Sequence, residues 1–276
     1  MKNKYDRLSQ KVSSQVMYEY STSFYYSTLL LSKKNKKAIY SLYGFVRLAD
    51  EIVDSFHDFD RKILLDEFES EFARSIKTRI SINPIMNSFQ KIYHDYNFDY
   101  ALVKSFINSM RIDIGHTYYD KETLNKYIHG SAEVVGLMCL KIFVNGEERK
   151  FTELKNSAIS LGTAFQKVNF LRDLKYDTEI LNRNYFNIDS NENSLENQKE
   201  IIIDDIKKDF KTALIKIKRL NKGAQIGVFA AYLIFFDLLK RIEQTKASEI
   251  FKNKVSVPKS KKVYLLIKSI FTVVIN

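Results

Sequence analysis

Gly162-Thr-Ala-Phe165-Gln166-Lys-Val168-Asn169-Phe-Leu171-Arg172-Asp173-Leu-Lys-Tyr-Asp177 is the stretch on which a reading of this chain turns. At about 3.6 residues per turn, Gly162, Gln166, Asn169, Asp173 and Asp177 share one helical stripe, with Phe165, Val168 and Leu171 beside or behind it. A solvated stripe is commonly Lys and Glu. Acids, amides and a glycine between apolar flanks instead predict the lining of a polar cavity inside a helical protein. Asp173 and Asp177, four residues apart, can offer oxygens to a hard divalent cation such as Mg²⁺, which favours carboxylates together with substrate phosphates.

An earlier stretch carries the same pattern. Tyr43-Gly-Phe-Val-Arg47-Leu-Ala-Asp50-Glu51-Ile-Val-Asp54 places Tyr43, Arg47, Asp50 and Asp54 on one face. One Asp-x-x-x-Asp pair is commonly a solvated helix face. Two copies, each with apolar flanks and a nearby arginine, predict facing helices that hold metal ions between them and a diphosphate on the metals.

The composition agrees with an all-α fold. The 276 residues include only eight Gly and two Pro, too few breakers for a turn-rich protein, and long segments follow a 3.6 period. Cys139 is the single cysteine, so no intramolecular disulfide forms; it suits a reducing, cytoplasmic setting and reads as a small core hydrophobe. The net charge of +11 fits nucleic acid, an anionic membrane or an anionic substrate. The lysines are scattered and no nucleic-acid motif accompanies them, so no nucleic-acid partner is expected. The N-terminus has no apolar signal core, and no apolar run reaches the roughly 18 residues of a spanning helix. The segment Val263–Ile275, preceded by Lys259, Lys261 and Lys262, reads either as a terminal core helix or as an interfacial segment touching anionic lipid.

In chain order, residues 11–31 read as one helix in which Ser21 and Ser23 beside Phe24 line a cavity mouth. The first acidic helix spans 36–56, and a surface helix follows at 60–79. Pro84 opens a short helix, and another covers 98–113, where Asp113 faces the cavity, caps the helix or lies on the surface. Residues 121–144 form a helix whose Gly130, Ser131, Ala132 and Gly136 predict a close helix contact or space for a ligand. His129 reads as a hydrogen-bonded interior histidine. The second acidic helix covers 150–176, Arg183 and Tyr185 are placed to fold over a diphosphate unless Arg183 is simply an exposed loop arginine, 189–199 is a solvated linker, and helices follow at 200–221 and 224–245.

Five stretches resemble the squalene/phytoene synthase family, the enzymes that join two prenyl diphosphates head to head. They are Ser21-Thr-Ser23-Phe24; Tyr43-x-x-x-Arg47-x-x-Asp50-Glu-x-Val-Asp54; Tyr127-x-x-Gly130-Ser-Ala-Glu-Val-Val-Gly136; Gly162-x-Ala-x-Gln166-x-x-Asn169-x-x-Arg172-Asp173-x-x-x-Asp177; and Arg183-x-Tyr185. Glu51 stands where the family often has a second Asp, Tyr20 where it has His, Asn182 for Gly and Asn187 for Pro; the last is expected to loosen its loop.

The resemblance implies one isoprenoid-synthase domain over 1–276, a helical bundle around a central cavity. It implies that Asp50, Asp54, Asp173 and Asp177 bind Mg²⁺, with Mn²⁺ as an alternative, and that Tyr127, Arg47 and Arg172 join them in catalysis. Arg183 and Lys254 would add cations. Tyr43, Gln166, Asn169 and Tyr185 would donate hydrogen bonds, and Phe24, Val134, Leu137 and Phe235 would wall the prenyl chains. The implied reaction turns two geranylgeranyl diphosphates into phytoene without NADPH; dehydrosqualene or squalene synthesis from farnesyl diphosphate is the enzymatic alternative. From another class, a catalytically silent, membrane-associated binding subunit is the alternative. The apolar product suggests a cytoplasmic protein peripheral to the inner face of a membrane.

Overall fold

The structure, a computed structural model, describes residues 2–115, 118–188 and 192–275. Its helices are α1 (Lys2–Tyr20), α2 (Thr22–Leu29), α3 (Lys33–Asp54), α4 (Arg61–Thr78), α5 (Pro84–Asp95), α6 (Tyr100–Asp113), α7 (Lys121–Ile128), α8 (Val134–Phe143), α9 (Glu148–Arg172), α10 (Leu174–Glu179), α11 (Glu192–Ile217), α12 (Lys222–Gln244), α13 (Ala247–Ile250) and α14 (Lys259–Ile275). A π-helical segment, His129–Glu133, joins α7 to α8. Among the described residues there is no β-strand, only an isolated bridge between Tyr118 and Asn184. The all-α expectation holds.

Side-chain caps set many of the boundaries. Ser32, Asp60, Asp99, Asp120 and Asn221 each accept a hydrogen bond from a first-turn backbone N–H, which satisfies donors that the helix leaves unpaired. Asn83 does the same in front of Pro84. The helix expected over 11–31 is two, because Ser21 leaves the helical region (φ −148°) and caps α2 through Phe24 N. The expected linker at 189–199 falls outside the described residues only at 189–191; from Glu192 onward it is α11. Charged residues at solvated helix positions had the look of a loop.

Two apolar cores flank the centre. One joins α1 and α3–α8 around Phe45, whose ring stacks on Phe89 with centroids 3.7 Å apart. The other joins α9 to α11–α13 around Phe210 and Leu239. The two halves approach closely where glycines allow it. A Cβ on Gly136 would lie 2.7 Å from Ala158 O, and one on Gly162 would lie 2.6 Å from Ala132 O. Each is inside van der Waals contact, so α8 and the π segment cross α9 at backbone distance.

α12 is long and apolar enough to cross a membrane by length and composition, but Ala230, Ile234, Leu239 and Ile242 sit buried within the bundle. α14 packs on α12 and α2 through Leu265, Ser269 and Val273. Its Tyr264, Phe271, Val274 and Ile275 stay exposed. The tail is thus a docked helix, as the core reading expects, and its outer face is apolar.

Candidate active site

Between the two cores lies a cavity of about 400 Å³. α9 forms one wall, with Leu154, Ala158, Leu161, Phe165, Asn169 and Arg172 all lining it. These positions recur every three or four residues, the spacing of one helix face. Phe24, Tyr43, Val135 and Phe235 come from the opposite walls. Phe24 and Phe165 pack on Phe235 at centroid distances of 5.1 and 4.2 Å. The cavity is therefore apolar along most of its length, with Arg47, Asp50, Gln166, Asn169 and Arg172 gathered toward one end.

Asp50 and Asp54 end α3, one turn apart. Asp173 interrupts α9: its backbone (φ −98°, ψ 9°) closes that helix and opens α10. Hydrogen bonds still bridge the break, Asp173 N to Asn169 O at 2.8 Å and Asp177 N to Asp173 O at 2.9 Å. The expected continuous helix over 150–176 is thus two helices in near register.

The carboxylates share too little positive charge. Burial, and then the charge of Asp54, pushes Asp50 up to about 7 against the pull of Arg47. Burial, followed by the charges of Asp173 and Asp54, pushes Asp177 up to about 8. Asp173 differs. Burial raises it, but Arg172 Nε at 3.0 Å and Lys254 Nζ at 2.7 Å outweigh burial and hold it below the usual carboxylate range. Arg47 reaches Glu51 Oε2 at 2.6 Å and Asp50 at 3.9 Å, while its guanidinium lies 4.3 Å from the Tyr20 ring centre. Its Nε is buried without a partner among the described residues, as is Asn169 Oδ1. Other atoms of both residues line the polar end of the cavity.

Arg183 and Tyr185 do not form an open flap. Arg183 is 3% exposed, with Nη1 2.7 Å from Asp54 Oδ1 and 3.3 Å from Asp113 Oδ2. Burial disfavours its charge, but Asp113, Tyr185 and Asp54 more than restore it. Tyr185 OH donates to Asp113 Oδ2 at 3.2 Å, and Tyr119 OH donates to Asp113 Oδ1. The pair thus belongs to a buried network beneath the carboxylates and does not line the cavity. Asp113 is its centre: burial raises its carboxyl to about 6 against Arg183 and the Tyr119 and Tyr127 hydroxyls. Tyr127 lines the cavity and stacks on Tyr185 with centroids 5.2 Å apart.

Further expectations need correction. Val134 and Leu137 are packed core, and Val135 takes the cavity position. The π turn shifts the face that a 3.6 period projects from Tyr127. Ser21 lines the mouth, but Ser23 does not. Cys139 lines the cavity, and burial pushes its thiol up to about 12. His129 is exposed, with Nδ1 2.8 Å from Glu133 Oε2. Asn187 adopts φ 49°, which proline cannot. Its side chain donates to Tyr119 O, so that loop is tied down and not loosened.

The donor set fits a divalent cation in its chemistry. Asp50, Asp54 and Asp177 are mutually repelling carboxylates with Arg183 as their buried counter-charge, so added positive charge would relieve them. No three acidic, His or Cys groups among the described residues converge as a ready-made metal site. An ion would therefore be held jointly with phosphate oxygens.

A helical bundle around an apolar cavity with Arg47, Asp50 and Arg172 at one end is the isoprenoid-synthase architecture that the sequence resemblance implied. The squalene/phytoene synthase family model matches residues 17–261, and the chain belongs to that family. It is 27% identical to a chloroplastic phytoene synthase of an Oncidium hybrid cultivar, over 94% of this chain and 66% of that protein. It covers 43% of a chloroplastic Zea mays phytoene synthase, so it spans less than two thirds of these plant relatives. A phytoene synthase of Arthrospira platensis is 24% identical over 94% of this chain and 91% of its own. Among solved structures, a dehydrosqualene synthase in complex with a ligand superposes with TM-score 0.84 at 19% identity, covering 99% of both chains. A squalene synthase from Alicyclobacillus acidocaldarius gives 0.74 at 20% identity, covering 87% of this chain and 94% of its own. At such identities the structures establish the fold alone.

Proposed function

We propose that this chain joins two prenyl diphosphates head to head, with geranylgeranyl diphosphate as donor and phytoene as product, by way of a cyclopropylcarbinyl diphosphate. The observation that supports this best is the two-part cavity: a long apolar wall that ends at Arg47, Asp50 and Arg172, with Asp54 close enough to repel both Asp50 and Asp177. A prenyl diphosphate has the same two parts.

Asp50, Asp54 and Asp177 would hold Mg²⁺, or Mn²⁺, which when bound neutralises charge on a diphosphate leaving group. Arg47 and Arg172 face the same end and stabilise the charge that grows on the leaving oxygens as the allylic C–O bond breaks. Lys254 does so across Asp173. The aromatic wall of Phe24, Phe165 and Phe235 keeps water from the allylic cation. The double bond of the second donor attacks that cation, and loss of a proton closes the cyclopropane. The second C–O bond then breaks, the skeleton rearranges, and a second proton leaves. Two diphosphates and two protons balance the hydrocarbon, so no NADPH is required. Tyr43 and Tyr127 keep their protons, since burial and the nearby charges of Asp50 and Asp113 raise both hydroxyls; they serve as hydrogen-bond donors at the mouth.

The proposal includes a place in the cell: a cytoplasmic protein that meets anionic lipid through the exposed apolar face of α14 and Lys259, Lys261 and Lys262.

The test incubates the protein and Mg²⁺ with farnesyl or geranylgeranyl diphosphate, with and without NADPH, and identifies the hydrocarbon. A forty-carbon product indifferent to NADPH is expected. A thirty-carbon product transfers the proposal to dehydrosqualene or, with an NADPH requirement, squalene synthesis. No diphosphate release from either donor removes the enzymatic reading and favours a silent binding subunit.

A further inference from the structure

The end of the cavity far from the acids is a wall with a second space behind it. Phe143, Leu154 and Leu220 line both the main cavity and a second cavity of about 210 Å³. The wall stands where three chain segments meet: the last residue of α8, the second turn of α9, and the turn between α11 and α12. Two tethers fix it. Asn221 Nδ2 donates to Phe143 O at 2.9 Å, and Lys216 Nζ donates to Glu153 O at 2.8 Å. Leu154 is 3% exposed and packs with Leu140 and Val144. Beyond the wall the lining becomes polar, with Asn145, Glu147, Lys150 and Arg219.

α9 supplies a length scale. Its lining residues Gln166, Asn169 and Arg172 are polar and belong to the diphosphate end. From Phe165 to Leu154 the α9 lining is apolar or small, and at about 1.5 Å per residue this stretch measures about 17 Å. An extended chain of single bonds advances about 1.2 Å per bond, as the polypeptide backbone does. On that scale a fifteen-carbon prenyl group, with twelve main-chain carbons, reaches about 14 Å. A twenty-carbon group reaches about 19 Å, and a twenty-five-carbon group about 24 Å. With its first carbons beside Gln166, the twenty-carbon chain ends against the wall, and the next longer donor collides with it.

We infer that Phe143, Leu154 and Leu220 measure the prenyl donor, making twenty carbons the longest chain that the cavity accepts. This rests on the proposed prenyl-diphosphate chemistry and assigns its length limit to named residues. Removing the Phe143 or Leu154 side chain joins the two cavities.

The experiment offers fifteen-, twenty- and twenty-five-carbon all-trans prenyl diphosphates, with Mg²⁺, to the wild-type chain and to Phe143→Ala, Leu154→Ala and Leu154→Phe. Diphosphate release is measured, together with calorimetric binding of the matching unreactive thiolodiphosphates. Wild type is expected to favour twenty over twenty-five carbons by at least about tenfold in kcat/KM, the discrimination that a pocket wall achieves over a few carbons. Each alanine variant raises the twenty-five to twenty ratio by about tenfold, and Leu154→Phe shifts preference toward fifteen by about the same factor. The inference is overturned if wild type uses twenty-five carbons as well as twenty, or if folded alanine variants keep the wild-type ratio. Leu154→Phe fills space rather than opening it, so its opposite shift tests the wall even if an alanine variant unfolds. If the wild type releases no diphosphate from any donor, the chemistry fails, while the thiolodiphosphate affinities still show whether the wall sets length.

Discussion

Asp50–Asp54 and Asp173–Asp177 have the same spacing, yet they live in different electrostatic surroundings. In the first pair, the inner residue Asp54 is held by buried Arg183 at 2.7 Å, while Asp50 rises to about 7 with only a distant hold on Arg47. In the second pair, Asp173 is claimed by Arg172 and Lys254 and lies below the usual range, while Asp177 rises to about 8. Each motif thus has one neutralised member and one that lacks positive charge. Asp50 and Asp177 are the two carboxylates with most to gain from a cation, and they come from opposite halves of the molecule. Identical spacing specified equal reach along a helix; the neighbours divided the roles.

The largest way to break this comparison is Arg183→Met. It leaves Asp113 and Asp54 without their buried counter-charge and is expected to destabilise the fold by about 3–5 kcal/mol, as loss of one member of a buried pair does. Denaturant unfolding measures it; a cost under about 1 kcal/mol would mean that Arg183 behaves as a surface cation.

Asp50→Asn and Asp177→Asn come next. Each is expected to lower kcat/KM for diphosphate release by about 10²–10³ and yet to raise the metal-free melting temperature at pH 8 by about 2–4 °C. The sign follows from linkage. A carboxyl raised in the folded state binds its proton more tightly there than in the unfolded chain. Metal-free stability is therefore greatest below the unfolded value and declines as pH rises through about 7 for Asp50 and about 8 for Asp177. The stabilisation by Asn should shrink as pH falls and vanish only below the unfolded carboxyl value of about 3.9, and Mg²⁺ should offset the decline at higher pH in the wild type. Asp173→Asn should do the reverse: its depressed carboxyl stabilises the fold above the unfolded value, so the variant melts lower at pH 7. Melting shifts of one sign for all three variants would erase the distinction.

A smaller effect is expected of Lys254→Ala. Lys254 is largely exposed, and such a pair contributes about 0.2–1 kcal/mol, so KM should rise by no more than about fivefold with kcat retained. A loss of kcat as large as that of Asp177→Asn would place Lys254 at the reacting bonds.

Least of all on turnover should be the double change of Lys259 and Lys268, the exposed lysines of α14, to Gln, assayed with detergent-dispersed donor. Flotation with anionic vesicles should weaken nonetheless, each lysine near a charged surface contributing about 1 kcal/mol. Equal flotation by both forms would remove the tail's charge from the account.

Much of this molecule could be read from local pattern. The all-α class followed from scarce breakers and 3.6 periodicity, and of the expected stripe Gly162, Gln166 and Asn169 do face the cavity, because one helix keeps its own phase over that length, whereas Asp173 and Asp177, at and beyond the break in α9, are not among its lining residues. Where helices change, the phase is lost. The π turn at His129–Glu133 handed the lining from Val134 to Val135, and the cap at Ser21 turned Ser23 away. Asp113 had a signal, a lone acid ending an apolar helix, but its partners Tyr119, Arg183 and Tyr185 come from later in the chain.

What the sequence by itself determined was the helical architecture, the two acid pairs and the family, because these depend on residue type at short, regular spacing. Tertiary structure alone decided which acid is neutralised, that Arg183 lies beneath the site rather than over it, and where the cavity ends. Coulomb energy and steric closure depend on distances across the bundle, and those distances exist only once α3, α9 and the turn before α12 have packed together.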